Sequence, residues 1–345
     1  MNKQEWFDYF AGINREYIPL IVNVQNPSAV KYTAEEIIND PQKAIDAAVD
    51  KFALTKQVGS DCVLMAESNF LENLVPCMFG AKTHFSPGGL IDIYPFISDI
   101  YETENIKADS IFCFETEKAV KHLEYMRDNA PDDMYVTTSR FMSPLDYAVV
   151  MMGGDFYMEM LAEPELSVNF MEKISEVTIK AIKFFKEIIK QPIAEAVTPR
   201  SIYYPGLRLT GDAVVNLSPG MIADIMCPLY KRFEAEFERV MLHYCCTPAP
   251  SQHVIGALGK GGGVHCMDNW QGYETIFNGN MLQTEVGVCT DVSKDEILNG
   301  VIFENPLLKI KERPLVIGTM ADTVEEGKKI YDLWRNMQEI KRGSE

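Results

Sequence analysis

Short apolar runs alternate along the chain with longer segments whose apolar positions recur at helical spacing. The apolar runs predict strands, and the longer segments predict helices. Strands are expected at residues 17–22, 61–65, 135–138, 240–245, 263–267, 281–288 and 314–318. Helices are expected at residues 33–57, 117–126, 145–152, 164–190, 219–237, 251–258, 273–277, 294–300 and 324–337. Because parallel strands need crossover connections that are usually helical, this alternation predicts a largely parallel sheet.

The count of strand–helix units favours an α/β fold of the (βα)₈ TIM-barrel type, with active-site residues at the carboxyl ends of the strands. A doubly wound open sheet is the alternative. The glycine-rich run at residues 259–263 precedes a predicted strand, whereas a phosphate-binding loop follows one, so it gives little support to a nucleotide-binding sheet. No linker-like segment interrupts the pattern. We therefore expect a single barrel domain over residues 1–345 with an N-terminal helical extension.

Composition narrows the possible partners. The chain has 345 residues, of which 50 are acidic and 32 basic, giving a net charge of -18. Nucleic acids and anionic membranes bind clustered Lys and Arg, so this balance argues against both. The chain has neither a signal-peptide core at its start nor an apolar stretch of the ~20 residues that a membrane helix needs, and we expect a cytoplasmic protein.

Eight cysteines are scattered without the pattern of a disulfide framework, so reduced thiols are expected. One of them, Cys245, bears on chemistry through its neighbour His243. His243 and Cys245 end the predicted strand at residues 240–245, and residues two apart on a strand share a face. Imidazole nitrogen and thiolate sulfur suit zinc, and three protein ligands with one open position would make the site catalytic.

Further candidate ligands follow the next predicted strands. Cys266 and Asp268 end one of them, Glu285 and Cys289 lie at the end of the next, and Cys246 adjoins the His-x-Cys pair. If the barrel forms, all of these strand ends open onto one mouth.

The same mouth would hold two possible pocket acids, Asp212 and Glu67. Apolar and aromatic side chains in the candidate pocket segments suit an apolar or aromatic small substrate. We predict substrate-binding roles for Met65, Tyr204, Met267 and Trp270.

Three segments, in order, carry a family resemblance. They are GLRLTGDAVVNLSP at residues 206–219, CPLYKR at 227–232 and LHYCC at 242–246. With them the chain resembles the uroporphyrinogen decarboxylase-like superfamily over most of its length. The resemblance is greater to the methyltransferase branch, which includes methylcobalamin:coenzyme M methyltransferases and corrinoid-dependent O-demethylase methyltransferases.

The resemblance implies a (βα)₈ barrel and a zinc ion held by His243 and Cys245. The family's usual third ligand is a Cys in a late turn, and the corresponding residues 316–322 contain none. We predict Cys289 as the third ligand, ahead of Cys266 and Asp268, because a thiolate is the softer ligand and Cys289 follows an apolar run. Glu285 and Cys246 are further candidates.

The resemblance also implies an activity. We expect a zinc-dependent methyltransferase that moves a methyl group between a small molecule and a corrinoid, and the corrinoid is expected on a partner protein because no Asp-x-His-x-x-Gly carrier segment is present. The early strand end at residues 23–27 lacks the arginines with which uroporphyrinogen decarboxylases bind their polycarboxylate substrate. Two alternatives stay open: a lyase of the same fold that acts on a small acid, and a metal-free binding protein.

Overall fold

The computed structural model describes residues 1–29, 31–68, 70, 72–85, 91–107, 110–138, 140–245, 254–258, 261–269, 286–304, 308 and 313–342. Its strands are β1 (Leu20–Val24), β2 (Met65–Glu67), β3 (Thr83–Phe85), β4 (Ile91–Ile93), β5 (Tyr135–Thr137), β6 (Phe141–Met142), β7 (Ala196–Val197), β8 (Tyr203–Tyr204), β9 (Leu207–Thr210), β10 (Val240–His243), β11 (Cys266–Asp268), β12 (Gly287–Asp291) and β13 (Leu315–Ala321).

The helices lie mostly between these strands. They are α1 (Lys3–Phe10), α2 (Ala34–Asn39), α3 (Pro41–Phe52), α4 (Thr55–Val58), α5 (Leu74–Met78), α6 (Glu102–Asn105), α7 (Phe114–Asn129), α8 (Pro144–Met152), α9 (Phe156–Ala162), α10 (Pro164–Ile188), α11 (Pro219–Met221), α12 (Cys227–Phe237), α13 (residues 254–258), α14 (Lys294–Leu298) and α15 (Val324–Arg342). Within these described segments, no helix combines the length and apolar composition that crossing a bilayer requires.

Seven strands form one sheet in the order β1-β13-β12-β11-β10-β9-β6, and every pair in it is parallel. β2 and β5 form a separate parallel pair. The α/β class and the large parallel sheet agree with the sequence prediction. Hydrogen bonds among the described strands do not close the sheet into a barrel, so the closed barrel stays a prediction.

Alternate residues of the sheet belong to two different apolar clusters, as the two-residue period of a strand requires. Leu20, Leu209 and Leu242 belong to one cluster, together with side chains from α8, α10 and α12. Ile21, Met241, Cys266, Cys289 and Val316 belong to a second cluster on the other face, here called the inner core.

Helix α1 covers one end of the inner core. Trp6, Tyr9 and Phe10 are buried in that cluster, and the ring of Phe10 lies edge-on to Tyr204 at 5.1 Å between centroids. The hydroxyl of Tyr9 donates a hydrogen bond to the carbonyl of Leu315, the first residue of β13, at 2.6 Å. The N-terminal helix therefore lies at the amino ends of the strands and leaves the carboxyl ends for a functional site.

Most predicted elements correspond to observed ones, with shifted ends. The predicted helix at residues 145–152 is α8, and the predicted strand at 135–138 is β5. The predicted strand at 61–65 is displaced to β2, and β9 is a strand that the apolar pattern does not predict, because Arg208 interrupts its apolar residues. The predicted helix at 273–277 and the first part of the strand at 281–288 lie outside the described residues.

Candidate active site and metal centre

Two neighbouring strands bring three possible metal ligands together. β10 ends at His243, with Cys245 two residues further on, and the adjacent β9 runs through Gly211 into a 3-10 turn, Asp212–Asn216. The amide of Gly211 donates to the carbonyl of His243 at 2.7 Å, which fixes the turn beside the strand end. A Cβ atom at Gly211 would lie 2.6 Å from Leu242 Cδ1, so a residue without a side chain permits this approach.

Ligand atoms of Asp212, His243 and Cys245 all lie within 4.8 Å of one another. The sulfur of Cys245 is 3.3 Å from Nε2 of His243, and the amide of Cys245 donates to Oδ1 of Asp212 at 2.6 Å. Two ligands of a tetrahedral zinc ion with bonds of about 2.3 Å to sulfur and 2.0 Å to nitrogen stand about 3.5 Å apart. The donor set and its spacing therefore fit a zinc ion.

The other ring nitrogen of His243 faces a buried carboxylate. Nδ1 lies 3.3 Å from Oδ2 of Asp268, whose side chain is fully buried. Metal-binding histidines commonly donate their second ring N–H to a carboxylate, which fixes the tautomer and directs the free nitrogen at the metal. Asp268 is thus placed to orient His243, and the ligand role predicted for it from the sequence stays a prediction.

Two arginines hold Asp268 in its ionised form. Nε of Arg200 donates to Oδ1 at 2.5 Å, and Nε of Arg208 donates to Oδ2 at 3.1 Å. Burial alone would raise the pKa of Asp268, but the charge of Arg200, with His243 and Arg208, holds that pKa well below its ordinary value. Asp268 is therefore an anion at every physiological pH.

Arg200 extends this network to the rim of the sheet. Its Nη1 donates to Oδ1 of Asp291 at 2.5 Å, and its Nη2 donates to the carbonyl of Asn269. The sequence pattern alone does not predict the roles of Arg200 and Arg208, because their partners are distant in sequence. One signal was available: Arg208 alternates with apolar Leu207 and Leu209, so a charge stands on one face of a buried strand.

The turn that carries Asp212 rests on a second buried acid, Asp146. Its Oδ1 accepts from the amide of Ala213 at 3.0 Å, and the hydroxyl of Ser143 donates to its Oδ2 at 2.5 Å. Burial raises the pKa of Asp146 to about 7, and the neighbouring Asp212 contributes in the same direction. No sequence motif marks Asp146 as part of this site.

The thiol of Cys245 stays protonated in the protein alone. Burial raises its pKa, and the nearby charges of Asp212 and then Asp268 raise it further, against weaker opposing effects of the two arginines. Formation of a thiolate here requires a cation, which a bound metal ion would supply.

Cys289 and Cys266 lie apart from the three-ligand group. Their sulfurs are 3.7 Å from each other, both residues are 1% exposed, and both belong to the inner core. The structure thus places Asp212, and not the predicted Cys289, with His243 and Cys245. A ligand role for Cys289 stays a prediction.

The remaining predicted residues occupy varied positions. Glu67 accepts a hydrogen bond from Nη2 of Arg140 at 2.6 Å. Met65 and Tyr204 pack in the inner core, and Met267 packs in the cluster on the opposite face of the sheet. The substrate-binding roles predicted for them stay predictions. Trp270, Cys246 and Glu285 lie outside the described residues.

Comparison with known proteins gives a match of fold. No protein-family model matches the chain, and no curated protein matches it significantly. Among solved structures, the chain is similar to a methyltransferase from Methanosarcina mazei, with a TM-score of 0.61 and 12% sequence identity. The match covers 97% of this chain and 98% of that chain. At such low identity, the likeness establishes a shared fold over nearly the whole chain.

Proposed function

We propose that the chain is a zinc-dependent methyltransferase that moves a methyl group between a small molecule and a corrinoid held by a partner protein. The observation that carries the proposal is the grouping of Asp212, His243 and Cys245 at the carboxyl edge of the parallel sheet. The likeness in fold to a methyltransferase supports the reaction class. The pairing of the first strand with the last supports closure of the sheet into a (βα)₈ barrel.

Each residue of the group has a defined part. His243 would bind through Nε2, because its Nδ1 faces Asp268, and Cys245 would bind as a thiolate. Asp212 would supply one carboxylate oxygen, and the hydrogen bond that it accepts from the amide of Cys245 holds the two chain segments together. Three protein ligands would leave a fourth position for substrate. Zinc bound there would act as a Lewis acid toward a substrate oxygen or sulfur.

The alternative lyase reaction on a small acid gains no support from the two arginines. Arg200 contacts the carboxylates of Asp268 and Asp291, and Arg208 also contacts Asp268. Their charges are therefore balanced by protein carboxylates. An arginine that binds a substrate carboxylate directs its planar fork at the ligand instead.

Metal analysis tests the first half of the proposal. Protein purified without chelator should contain about one zinc per chain by mass spectrometry, and His243→Ala and Cys245→Ala should each lose it. Cys62→Ala and His265→Ala are matched controls, because they remove the same residue types outside the group and should keep the metal.

A transfer assay tests the second half. Methylcobalamin can serve as a surrogate donor, with small thiols and alcohols as acceptors, and loss of its absorbance reports transfer. We expect turnover that disappears in Cys245→Ala and persists in Cys62→Ala. A chain that binds no zinc when zinc is added back, or turnover that is equal in both variants, would contradict the proposal.

A further inference from the structure

A cavity of about 250 Å³ lies between the carboxyl-terminal parts of β1, β12 and β13. Ile21, Cys289 and Val316, all buried, line its deeper part, and these three residues belong to the inner core. Asn23 and Asp291 line it nearer the strand ends, together with Arg200 from the preceding part of the chain. The cavity therefore has an apolar floor and a polar rim.

Strand register places this cavity close to the ligand group. His243 is the register partner of Asp268, and Asp268 is the register partner of Cys289. Neighbouring strands stand about 4.8 Å apart, so the backbones of His243 and Cys289 are separated by roughly 10 Å. Arg200 joins the two places directly, since it lines the cavity and also contacts Asp268. One small molecule could span this distance.

The volume limits the size of the occupant. An apolar cavity of ~150 Å³ admits benzene, and pockets for drug-sized molecules start at ~300 Å³. A cavity of about 250 Å³ therefore suits a molecule of one substituted ring or equal bulk. A larger cleft of about 400 Å³ is lined by Asp61 and Tyr331. Asp61 accepts from the amide of Leu20, where β1 begins, so that cleft lies at the opposite edge of the sheet.

Charge at the rim limits the chemistry of the occupant. Arg200 carries one positive charge between two carboxylates, those of Asp268 and Asp291. Neither Asp268 nor its second arginine, Arg208, is among the described residues that line the cavity, so Arg200 and Asp291 are the charged groups of its described lining. Asp291 has a side chain that is 39% exposed, so it presents a carboxylate at the cavity rim. The side chain of Arg200 is only 10% exposed and already contacts two carboxylates, so Asp291 is the more accessible charged group of the rim and favours a hydrogen-bond donor or a cation over an anion.

A glycine on the neighbouring strand makes this arrangement possible. Gly318 is the register partner of Asp291, and a Cβ atom there would lie 2.1 Å from Oδ1 of Asp291. Any side chain at residue 318 would displace the carboxylate from its position against Arg200. The sequence thus keeps the rim carboxylate in place.

We propose that this cavity holds the body of the methyl-transfer substrate, and that the substrate is a small amine or alcohol of single-ring bulk whose N–H or O–H donates to Asp291. That the bound molecule is a substrate rests on the proposed methyltransferase function, whereas the preference of the cavity for an amine or alcohol over a carboxylate does not. A carboxylate of the same size should bind less tightly, because it would meet the carboxylate of Asp291 at the rim.

Binding of three probes with the same ring and linker tests this preference. Benzylamine, benzyl alcohol and benzoate are titrated by calorimetry into the full-length protein at pH 7, with neither corrinoid nor methyl donor present. We expect benzylamine and benzyl alcohol to bind at least about tenfold more tightly than benzoate, since charge-assisted hydrogen bonds are the strong ones. Benzoate binding as tightly as the other two, or no binding of any probe, would overturn the proposal.

One variant assigns the preference to the rim. Asp291→Asn should weaken benzylamine binding by roughly tenfold. It should also reduce or reverse the difference in affinity between benzylamine and benzoate, because Arg200 then loses one of its two anions. Asp322→Asn is the matched control, because Asp322 follows the adjacent strand and its side chain is 78% exposed beside Lys294. Equal effects of the two substitutions would remove Asp291 from the site. If methyl transfer fails while benzylamine and benzyl alcohol still bind more tightly than benzoate, the proposed function is wrong and the binding preference of the cavity is still supported.

Discussion

Nδ1 of His243 lies 3.3 Å from Oδ2 of Asp268, and the same carboxylate receives hydrogen bonds from Arg200 and Arg208. A single buried anion therefore links the orientation of the imidazole to two arginines from other parts of the chain. The site and the stability of the sheet edge depend on the same group.

Removal of Arg200 should destabilise the fold strongly. Arg200→Ala leaves the buried Asp268 with Arg208 and His243, and breaking a buried pair by deletion of one partner costs about 3–5 kcal/mol. We expect a loss of that size in the free energy of unfolding, measured with urea at pH 7. Lys180→Ala is the control, because its pair with Glu176 is solvent-exposed and such pairs contribute under about 0.5 kcal/mol. Similar losses in both variants would show that Asp268 is not held as described.

The ligand set should contain one sulfur and one carboxylate. We expect X-ray absorption at the zinc edge to show a single sulfur neighbour, which Cys245→Ser removes and Cys289→Ser leaves unchanged. Asp212→Ala should lower zinc affinity by tenfold or more, because it removes one of three ligands. A sulfur count that falls in Cys289→Ser would instead support the ligand predicted from the sequence and would require the inner core to rearrange.

Local pattern was enough to predict the outline of this site. The closeness of His243 and Cys245 follows from the two-residue period of one strand, and helices such as α8 and α10 follow from apolar spacing within one segment. Both depend on residues that are near in sequence, where periodicity is informative.

Partners distant in sequence could not be predicted in this way. Arg200 and Asp268 are 68 residues apart, and Asp146 and Ala213 are 67 apart. Which side chain meets which depends on strand order and register, and a one-residue shift reverses the face of every residue. β11 illustrates the point: Cys266 lies in the inner core, while its neighbour Met267 packs on the opposite face.

Gly206, within the segment that resembles the methyltransferase branch, should not tolerate a side chain. Its φ is +150°, and a Cβ atom would lie 2.3 Å from the carbonyl oxygen of Arg239. Gly206→Ala should therefore cost more than about 2 kcal/mol of unfolding free energy, from strain and backbone displacement beside β9. Gly154→Ala is the matched control, because nothing lies within 4 Å of its Cβ position. A thermal shift of equal size in the two variants would contradict the close approach of the two backbones at Gly206 and Arg239.

The acid that supports the turn of Asp212 should make stability depend on pH. Burial raises the pKa of Asp146 to about 7 in the folded chain, whereas an unfolded aspartate titrates near ~3.9. Between these values the folded state binds one more proton than the unfolded state, so the free energy of unfolding falls as pH rises. This contribution is complete below pH ~4 and is lost as the pH passes through about 7, with a total on the order of a few kcal/mol.

Asp146→Asn should abolish this dependence while it keeps an oxygen to accept from the amide of Ala213. Unfolding by urea at pH 5, 6, 7 and 8 gives the difference in stability between the wild type and the variant at each pH. We expect the wild type to lose stability relative to Asp146→Asn from pH 5 to pH 7. Asp132→Asn is the control, because Asp132 is exposed. The difference in stability between Asp132→Asn and the wild type should change little over the same pH range. Since other titrating groups are common to all three proteins, a wild-type profile parallel to that of Asp146→Asn would mean that Asp146 is ionised throughout this range.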